Sequence, residues 1–280
     1  MSPTAKVRFA MRRQCNLPIA EMTWDPDRTL GEELARAPFA LTMSSGFFAF
    51  YAHTGFVTAL EEAGVLPVRV SGSSAGALVG AAWAAGVDGP VLARELEGLE
   101  RRDFWDPHVG PGLLRGSLFH ERMQRILPVN DFAQTRVPAA VSVFEVRARR
   151  TRVVDDGEIA AAICASCAVP FLFRPVRIAG RSYLDGGILD RPGLAGMPEG
   201  ERVLYHHIAS RSPWRASRWQ GKEPLPSRAG MLTFMLDVLP RSGPFKLGEG
   251  RKAYRVAREA TKRALDQRIG GAELIATTGV

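Results

Sequence analysis

The sequence predicts an α/β protein whose central sheet is built mostly from parallel strands. The chain opens with two strand–loop–helix units, in which apolar runs beginning at Phe39 and Val68 each lead through a loop of small residues into a helix. Strands that alternate with helices form parallel sheets, and their connecting loops gather at one edge. The 280 residues, 46% hydrophobic and 24% charged, are enough for one domain with a large core.

The amino-terminal half supplies most of the expected helices. Residues 1–36 form a polar leader that we expect to be partly ordered, with one short helix near residues 30–35. A buried strand over residues 39–43 follows, and the next helix ends at Gly64, a typical helix terminator. After the second strand, a helix of small residues ends near Gly86. Further helices are expected over 90–102 and 120–127.

A loop rich in aromatic residues, glycine and proline separates those last two helices, over residues 104–116. Its apolar tips leave three interpretations open: a lid, a substrate-access rim or a packed connector.

The carboxyl-terminal half adds two hairpins, one further buried strand, one apolar segment and a basic helix. A helix of small residues between the hairpins ends before Pro170. The loop over 211–230 is rich in Arg, Ser, Pro and Trp, and the final helix presents a basic face that we interpret as solvated, with a lipid-facing surface as the alternative. The expected ranges are 139–147 with 151–154, 159–168, 175–178 with 182–184, 202–209, 231–239 and 250–269. We therefore expect residues 37–280 to form a single domain.

Charge and cysteine content narrow the classes of function. The net charge of +8 and pI of about 9.9 suit an anionic partner, such as acidic lipid headgroups or a phosphorylated substrate. A nucleic-acid role would depend on charge alone, and we expect none. Cys15, Cys164 and Cys167 form no disulfide framework, and the last two are expected to be small core residues of a helix rather than a zinc site.

The chain shows no apolar run long enough to cross a bilayer and no signal peptide. We therefore expect a cytoplasmic protein, with peripheral contact to an anionic membrane surface left open.

A G-x-S-x-G turn, Gly72 to Gly76, lies between the second strand and the helix of small residues. Such a turn holds its middle residue, Ser74, in a strained conformation at the top of a sheet. Gly72 and Gly76 remove the Cβ atoms that would collide where strand and helix meet. The Ser74 hydroxyl then stands at a helix N-terminus, which favours developing negative charge. Arg69 fits poorly in a strand expected to be buried.

A serine hydroxyl needs a base to become a nucleophile, and the chain offers two kinds. Asp185 ends the second hairpin, and Gly186 and Gly187 after it allow the backbone to approach the serine turn. Alternatively, Asp185 followed by His206 or His207 has the chain order of an α/β-hydrolase triad. Those histidines, however, lie in an apolar strand rather than in a loop.

The serine turn and the Asp185-Gly186-Gly187 segment together resemble the patatin-like phospholipases. Similarity extends over about residues 38–210, through His53 and the segments 54–65, 112–116 and 165–170. The resemblance implies a three-layer α/β/α patatin-like fold with a central, mostly parallel sheet. It also implies a Ser74–Asp185 dyad without a catalytic histidine, no metal or organic cofactor, and an acyl-lipid substrate.

The activity implied by this resemblance is hydrolysis of carboxylic esters in phospholipids or other acyl lipids through an acyl-enzyme. Backbone N–H groups in the loop after the first strand, together with Ala75, would hold the oxyanion. Phe47, Phe48, Phe50, Phe104 and Trp105 are candidates for an acyl channel, with core packing the simpler account for most of them.

The chain departs from the family pattern in that loop, where the family has three glycines, any residue, Arg and Gly. This chain has Ser45, Gly46, Phe47, Phe48, Ala49 and Phe50, so the arginine is missing and two β-carbons narrow the expected oxyanion hole of Ser45, Gly46 and Phe47. Asp190-Arg191-Pro192 also replaces the usual Asn before Pro. Two alternatives therefore stay open: a catalytically weakened protein that binds lipid or a partner protein, and a triad esterase that uses His206 or His207.

Overall fold

The computed structural model describes residues 23–208, 225–236 and 238–276. Within these ranges nine strands form one sheet, which helices flank. The helices are α1 (Leu30–Arg36), α2 (Phe50–Glu62), α3 (Ala75–Ala84), α4 (Gly89–Glu97), α5 (Ser117–Ile126), α6 (Ile159–Ser166) and α7 (Leu247–Leu265). The strands are β1 (Ala40–Met43), β2 (Arg69–Ser73), β3 (Ala139–Glu145), β4 (Arg150–Val154), β5 (Val176–Ile178), β6 (Arg181–Asp185), β7 (Val203–His207), β8 (Met231–Leu236) and β9 (Glu273–Ala276).

The sheet is mixed, with a parallel centre and an antiparallel flank. Its strand order is β5-β6-β3-β2-β1-β7-β8-β9, and β4 pairs with β3 as well. All pairs from β3–β2 through β8–β9 are parallel, whereas β3–β4, β3–β6 and β5–β6 are antiparallel. The predicted α/β class with a mostly parallel central sheet is confirmed.

Strand β3 pairs with two different strands along the same edge. Residues 139–142 pair with β2, and residues 143–145 pair with β6, while β4 occupies the opposite edge. Because a strand has only two hydrogen-bonding edges, β6 must continue the line of β2 beyond its carboxyl end. The carboxyl end of β2 and that of β6 therefore meet beside the middle of β3.

The main hydrophobic core lies on one face of the sheet, under α2, α3, α6 and α7. It contains alternate strand residues such as Leu41, Met43 and Leu204, which follow the period of two of a β-strand. Their neighbours Ala40, Val203 and Tyr205 form a smaller cluster on the other face. There, within the described ranges, the segment 189–197 with its 3₁₀ turn at Leu194–Gly196 covers the central strands.

The element types expected from the sequence are present, but some differ in extent and one further strand is found. Helix α4 ends at Glu97, and a 3₁₀ turn at Arg101–Asp103 replaces its expected last turn. The strand Glu273–Ala276 pairs with β8 but was not expected. The basic helix begins at Leu247 and ends at Leu265. Residues 211–224 of the Arg-rich loop and Cys15 lie outside the described residues.

Arg69, which fits a buried strand poorly, is the first residue of β2. It lies at the amino end of the sheet, half-buried, and its Nε donates to Glu201 Oε1 at 3.0 Å. The guanidinium therefore leaves the sheet at its edge and needs no place in the core.

Residues 23–36 of the expected leader pack against the domain through a buried ion pair. Arg202 Nη2 lies 2.6 Å from Glu33 Oε2, and neither side chain is exposed. Arg202 also donates to the carbonyl of Ala37 and lies 3.6 Å from the centre of the Trp24 ring. A buried charge without its partner is strongly unfavourable, so this pair holds α1 at the amino end of β7.

We expect Glu33→Gln to lower the free energy of unfolding by about 3–5 kcal/mol, because the buried Arg202 charge would lose its partner. The matched control is Glu62→Gln, which removes a carboxylate 2.6 Å from Arg258 on the surface and should cost less than about 1 kcal/mol. Urea-induced unfolding of the two variants measures the difference. Equal losses would contradict a special role for the buried pair.

Candidate active site

The turn between β2 and α3 holds Ser74 in a strained backbone conformation. Its φ of 52° and ψ of −117° lie outside the regions that residues with side chains prefer. The Ser74 N–H donates to Ser166 Oγ at 2.8 Å, and Ser166 Oγ donates in turn to the carbonyl of Ser142 at 2.7 Å. A Cβ on Gly76 would collide with the carbonyl of Met43, so only glycine permits this approach of α3 to β1. Together these contacts fix the Ser74 hydroxyl at the carboxyl end of the sheet.

Strand β6 brings Asp185 to this hydroxyl. Ser73 stands opposite Ser142 on β3, and Asp185 stands opposite the next residue, Val143. The Ser74 hydroxyl donates to Asp185 Oδ2 at 2.7 Å, while the N–H of Gly187 donates to Oδ1 at 2.8 Å. Both carboxylate oxygens therefore have a donor, and the carboxylate faces the hydroxyl directly.

Burial controls the ionisation of Asp185. Removal from water raises the pKa of Asp185 to about 6, and the hydrogen bonds from Ser74 and Gly187 oppose part of that rise. At neutral pH the carboxylate is ionised but is a stronger base than an exposed aspartate. This is the direction of shift that a proton acceptor requires.

The backbone amides expected to form an oxyanion hole differ in their partners. The N–H of Ser45 donates to the carbonyl of Arg191 at 2.7 Å, so that amide is already engaged. The N–H groups of Gly46, Phe47 and Ala75 have no hydrogen-bond acceptor within the described part of the chain. Gly46 and Phe47 line the same cavity as Ser74, and Ala75 begins α3 there.

The histidines do not join the serine and the aspartate. His53 Nε2 lies 2.8 Å from the carbonyl of Ser44, which can only accept, so His53 Nδ1 accepts from His206 Nδ1 at 2.9 Å. His206 stacks on Phe56, and His207 Nδ1 bonds to the hydroxyl of Tyr205. His206 and His207 have these other partners, and the Ser74 hydroxyl donates directly to Asp185 with no histidine between them. This placement of the two histidines does not favour the triad alternative.

Ser74 and Asp185 lie in the wall of an apolar cavity of about 450 Å³. Helices α3, α4 and α5 contribute aliphatic side chains to it, and the loops contribute aromatic rings. The five aromatic residues proposed for an acyl channel all line this cavity: Phe47, Phe48, Phe50, Phe104 and Trp105. Phe48 and Phe50 also pack against the main core, so for these two residues core packing and cavity lining are combined. The cavity has the size and apolar lining of a site for a small organic ligand or an acyl chain.

Three contributions to the site were not foreseen from the sequence. Ser166 positions the Ser74 N–H, although its segment was noted only for its resemblance. Cys167 packs against the core, as expected, but it also lines the cavity, and burial with the nearby Asp185 charge raises the pKa of its thiol well above the usual value. Asp190 accepts from Ser142 Oγ at 2.6 Å and from the N–H of Ala195 at 2.9 Å. This carboxylate braces β3 behind the site.

The chain is similar to several known proteins. It is 34% identical over 156 residues to an uncharacterized NTE family protein of Mycobacterium tuberculosis, a match that spans 54% of this chain and 43% of the relative. Another uncharacterized NTE family protein of that organism is 29% identical over 165 residues, which are 58% of this chain and 28% of the relative. The matched region thus spans less than half the length of these curated relatives.

The fold is also similar to that of a solved structure, VipD from Legionella pneumophila. The TM-score is 0.57 at 16% identity, over 85% of this chain and 71% of that one. A family model described as patatin-like phospholipase matches residues 41–196, which include Ser74 and Asp185 and are more than half of the chain. By this match, the chain belongs to the patatin-like phospholipase family.

Proposed function

We propose that this protein is a serine lipid acyl hydrolase that uses Ser74 as nucleophile and Asp185 as its base. The observation that carries the proposal is the 2.7 Å hydrogen bond from the Ser74 hydroxyl to Asp185 Oδ2, in the wall of a 450 Å³ apolar cavity. The experiment that tests it is a panel of carboxylic esters and phospholipids, assayed with the wild-type chain beside Ser74→Ala.

In the first half of the reaction, the Ser74 oxygen attacks the carbonyl carbon of an acyl ester while its proton passes to Asp185. The carbonyl oxygen becomes an oxyanion, which the N–H groups of Gly46, Phe47 and Ala75 would hold. Collapse of this intermediate breaks the ester C–O bond, and Asp185 returns the proton to the departing alkoxide. The products are an alcohol and an acyl group bound to Ser74.

In the second half, water replaces the alcohol. Asp185 accepts a proton from the water, whose oxygen attacks the acyl carbonyl carbon. The Ser74 oxygen then leaves and recovers its proton from Asp185, which releases the carboxylic acid. Every proton transfer passes through one carboxylate, and no metal or organic cofactor takes part.

The lining of the cavity favours a substrate with a long apolar part. Aromatic and aliphatic side chains surround Ser74, among them Phe47, Leu78 and Met123. Burial of each methylene of an acyl chain contributes about 0.8 kcal/mol, so such a lining selects lipids over short polar esters. Phospholipids and other acyl lipids are the proposed class.

The catalytically weakened alternative has its own support. The Ser45 N–H is engaged by Arg191, so the oxyanion hole would lack one of the three loop amides expected for it. Loss of one donor costs about 100- to 1000-fold in rate. Labelling by a fluorophosphonate probe separates the candidates: labelling that Ser74→Ala abolishes supports the enzyme, whereas an unlabelled, folded wild type supports the binding protein.

We expect Ser74→Ala to reduce ester hydrolysis by about 10³-fold or more, because it removes the nucleophile. Asp185→Asn should cause a comparable loss, since its amide cannot accept the serine proton as a base. The matched control is Ser73→Ala, because the buried Ser73 hydroxyl has no hydrogen-bond partner in the described structure and should be dispensable. Full activity of Asp185→Asn in a folded protein would overturn the proposed dyad.

The pH dependence of kcat/KM should have an acid limb near pH 6, the pKa of Asp185. Only the ionised carboxylate accepts a proton, so activity falls as pH drops through this value, by about tenfold per unit below it. His207→Gln is the control, since burial lowers the pKa of His207 to about 4. A limb near pH 6 that disappears in this variant would assign the titration to the histidine.

We expect Ser166→Ala to lower kcat by about 10- to 100-fold with little change in KM. The substitution removes the acceptor of the Ser74 N–H and frees the carbonyl of Ser142, so the hydroxyl loses its fixed position while the cavity keeps its lining. Steady-state kinetics on a soluble ester, with thermal unfolding as the check on folding, measures the effect. An unchanged kcat would exclude the positioning role.

A further inference from the structure

Two loops at the cavity, residues 105–116 and 171–174, are joined by backbone hydrogen bonds, and we call the pair the ledge. The N–H of Leu113 donates to the carbonyl of Phe171 at 3.0 Å, the N–H of Leu114 to Leu172 at 2.7 Å, and the N–H of Arg174 to Leu114 at 3.1 Å. Gly112 has a φ of 91°, and a Cβ there would lie 2.5 Å from the backbone of Phe173. The segment 112–116, noted for its resemblance, therefore fixes the 105–116 loop against residues 171–174.

The ledge exposes large apolar side chains beside the cavity. Val109 is fully exposed and Phe171 is 80% exposed, and Phe171 also lines the cavity. Phe245, before α7, is 73% exposed, and its ring centre lies 6.2 Å from that of Trp105, another lining residue. Large apolar side chains exposed beside a cavity are typical of surfaces that contact a partner or a membrane. We call Val109, Leu113, Phe171 and Phe245 the apolar rim.

Three arginines accompany the apolar rim. The guanidinium of Arg101 lies 4.7 Å from the Trp105 ring centre and 5.2 Å from that of Phe245. Arg115 and Arg174 are exposed on the ledge itself. Among the described residues, none of the three has a carboxylate within ion-pair distance, whereas neighbouring Arg122 is paired with Glu95 and Asp103. The charges beside the rim are thus available to an anionic partner.

The basic helix α7 lacks this combination. Its charges are partly neutralised, because Arg258 and Lys262 approach Glu62 and Lys252 pairs with Glu249. None of the exposed large hydrophobic residues lies on α7. Charge without an apolar anchor gives weak, salt-sensitive binding to a lipid surface. The rim is therefore the better candidate for such contact than the helix suggested by the sequence.

We propose that the apolar rim and Arg101, Arg115 and Arg174 dock the protein on the surface of an anionic lipid bilayer. The rim side chains enter the acyl region, and the arginines bind the headgroup phosphates. This docking rests on the proposed function in one respect: it places the cavity opening against the bilayer, so that an acyl chain passes from lipid to Ser74 without crossing water.

The test measures binding to sucrose-loaded vesicles by sedimentation, in a Ser74→Ala background so that no lipid is consumed. Vesicles of phosphatidylcholine, with and without phosphatidylglycerol, are compared. The rim variants change residues outside the cavity lining: Val109→Ser with Leu113→Ser, Phe245→Ser alone, and Arg115→Gln with Arg174→Gln. The matched controls are Leu66→Ser with Val68→Ser, which lie at 49% and 50% exposure by the amino end of β2, and Arg255→Gln with Arg263→Gln on α7.

The parent should bind better when phosphatidylglycerol is present. Each arginine removed from the rim should weaken binding about fivefold, and the apolar rim variants should weaken binding to both kinds of vesicle by about tenfold or more. The control pairs should bind like the parent. The proposal would be overturned if the parent did not bind vesicles, if Leu66→Ser with Val68→Ser lost as much binding as the rim variants, or if only the α7 pair lost binding. It would also be overturned if the protein self-associated through the rim in size-exclusion chromatography and did not bind vesicles.

A second readout keeps this inference separate from the proposed function. With Ser74 restored, Val109→Ser with Leu113→Ser should hydrolyse a monomeric soluble ester at the wild-type rate and vesicle phospholipid more slowly. Vesicle binding without any Ser74-dependent hydrolysis would contradict the proposed enzymatic function but support the docking surface. Hydrolysis of the soluble ester without vesicle binding would support the enzymatic function and contradict the docking surface.

Discussion

The site depends on one strand that serves two partners along a single edge. Strand β3 pairs with β2 up to Ser142 and with β6 from Val143 onward, so two strands distant in the sequence end face to face. The backbone hydrogen bonds of β3 thereby hold the ends of β2 and β6 in register, with the Ser74 hydroxyl 2.7 Å from Asp185 Oδ2. No salt bridge or metal is needed to bring the two side chains together.

This arrangement lowers the free energy of unfolding, because two features of the site are unfavourable in the folded state. Ser74 occupies a backbone region that residues with side chains avoid, and Asp185 ionises although it is buried. Because the pKa of Asp185 is raised above its ordinary value, the free energy of unfolding falls as pH rises from that ordinary value to about 6. The surroundings offset these costs: the main core lies directly under the turn, and Ser166 and Gly187 supply hydrogen bonds to the two residues.

Local patterns predicted the parts of the site that depend on local structure. A G-x-S-x-G turn between a strand and a helix indicates a serine at the end of that strand, and the glycines after Asp185 indicate close approach of backbone. Together with the family resemblance, these patterns made Ser74 and Asp185 the candidate pair. The contributions of Ser166 and Cys167 depend on how α6 packs on β3, a long-range relation that residue spacing does not encode. The engagement of the Ser45 amide likewise depends on Arg191, 146 positions away in the chain, and the pairing of His53 with His206 spans two elements. Strand β9 was missed because its four residues, only two of them apolar and buried, give too short a pattern.

The divided edge of β3 also determines where the chain tolerates changes in length. The turns at residues 147–149 and 179–180 lie beyond the paired residues, so loops inserted there leave the register of the sheet untouched. An extra residue between Ser142 and Val143 would instead displace β6 by one position and turn every following side chain of β3 to the opposite face. In descendants of this chain, insertions and deletions should therefore accumulate at the hairpin tips, whereas selection should remove those in the middle of β3.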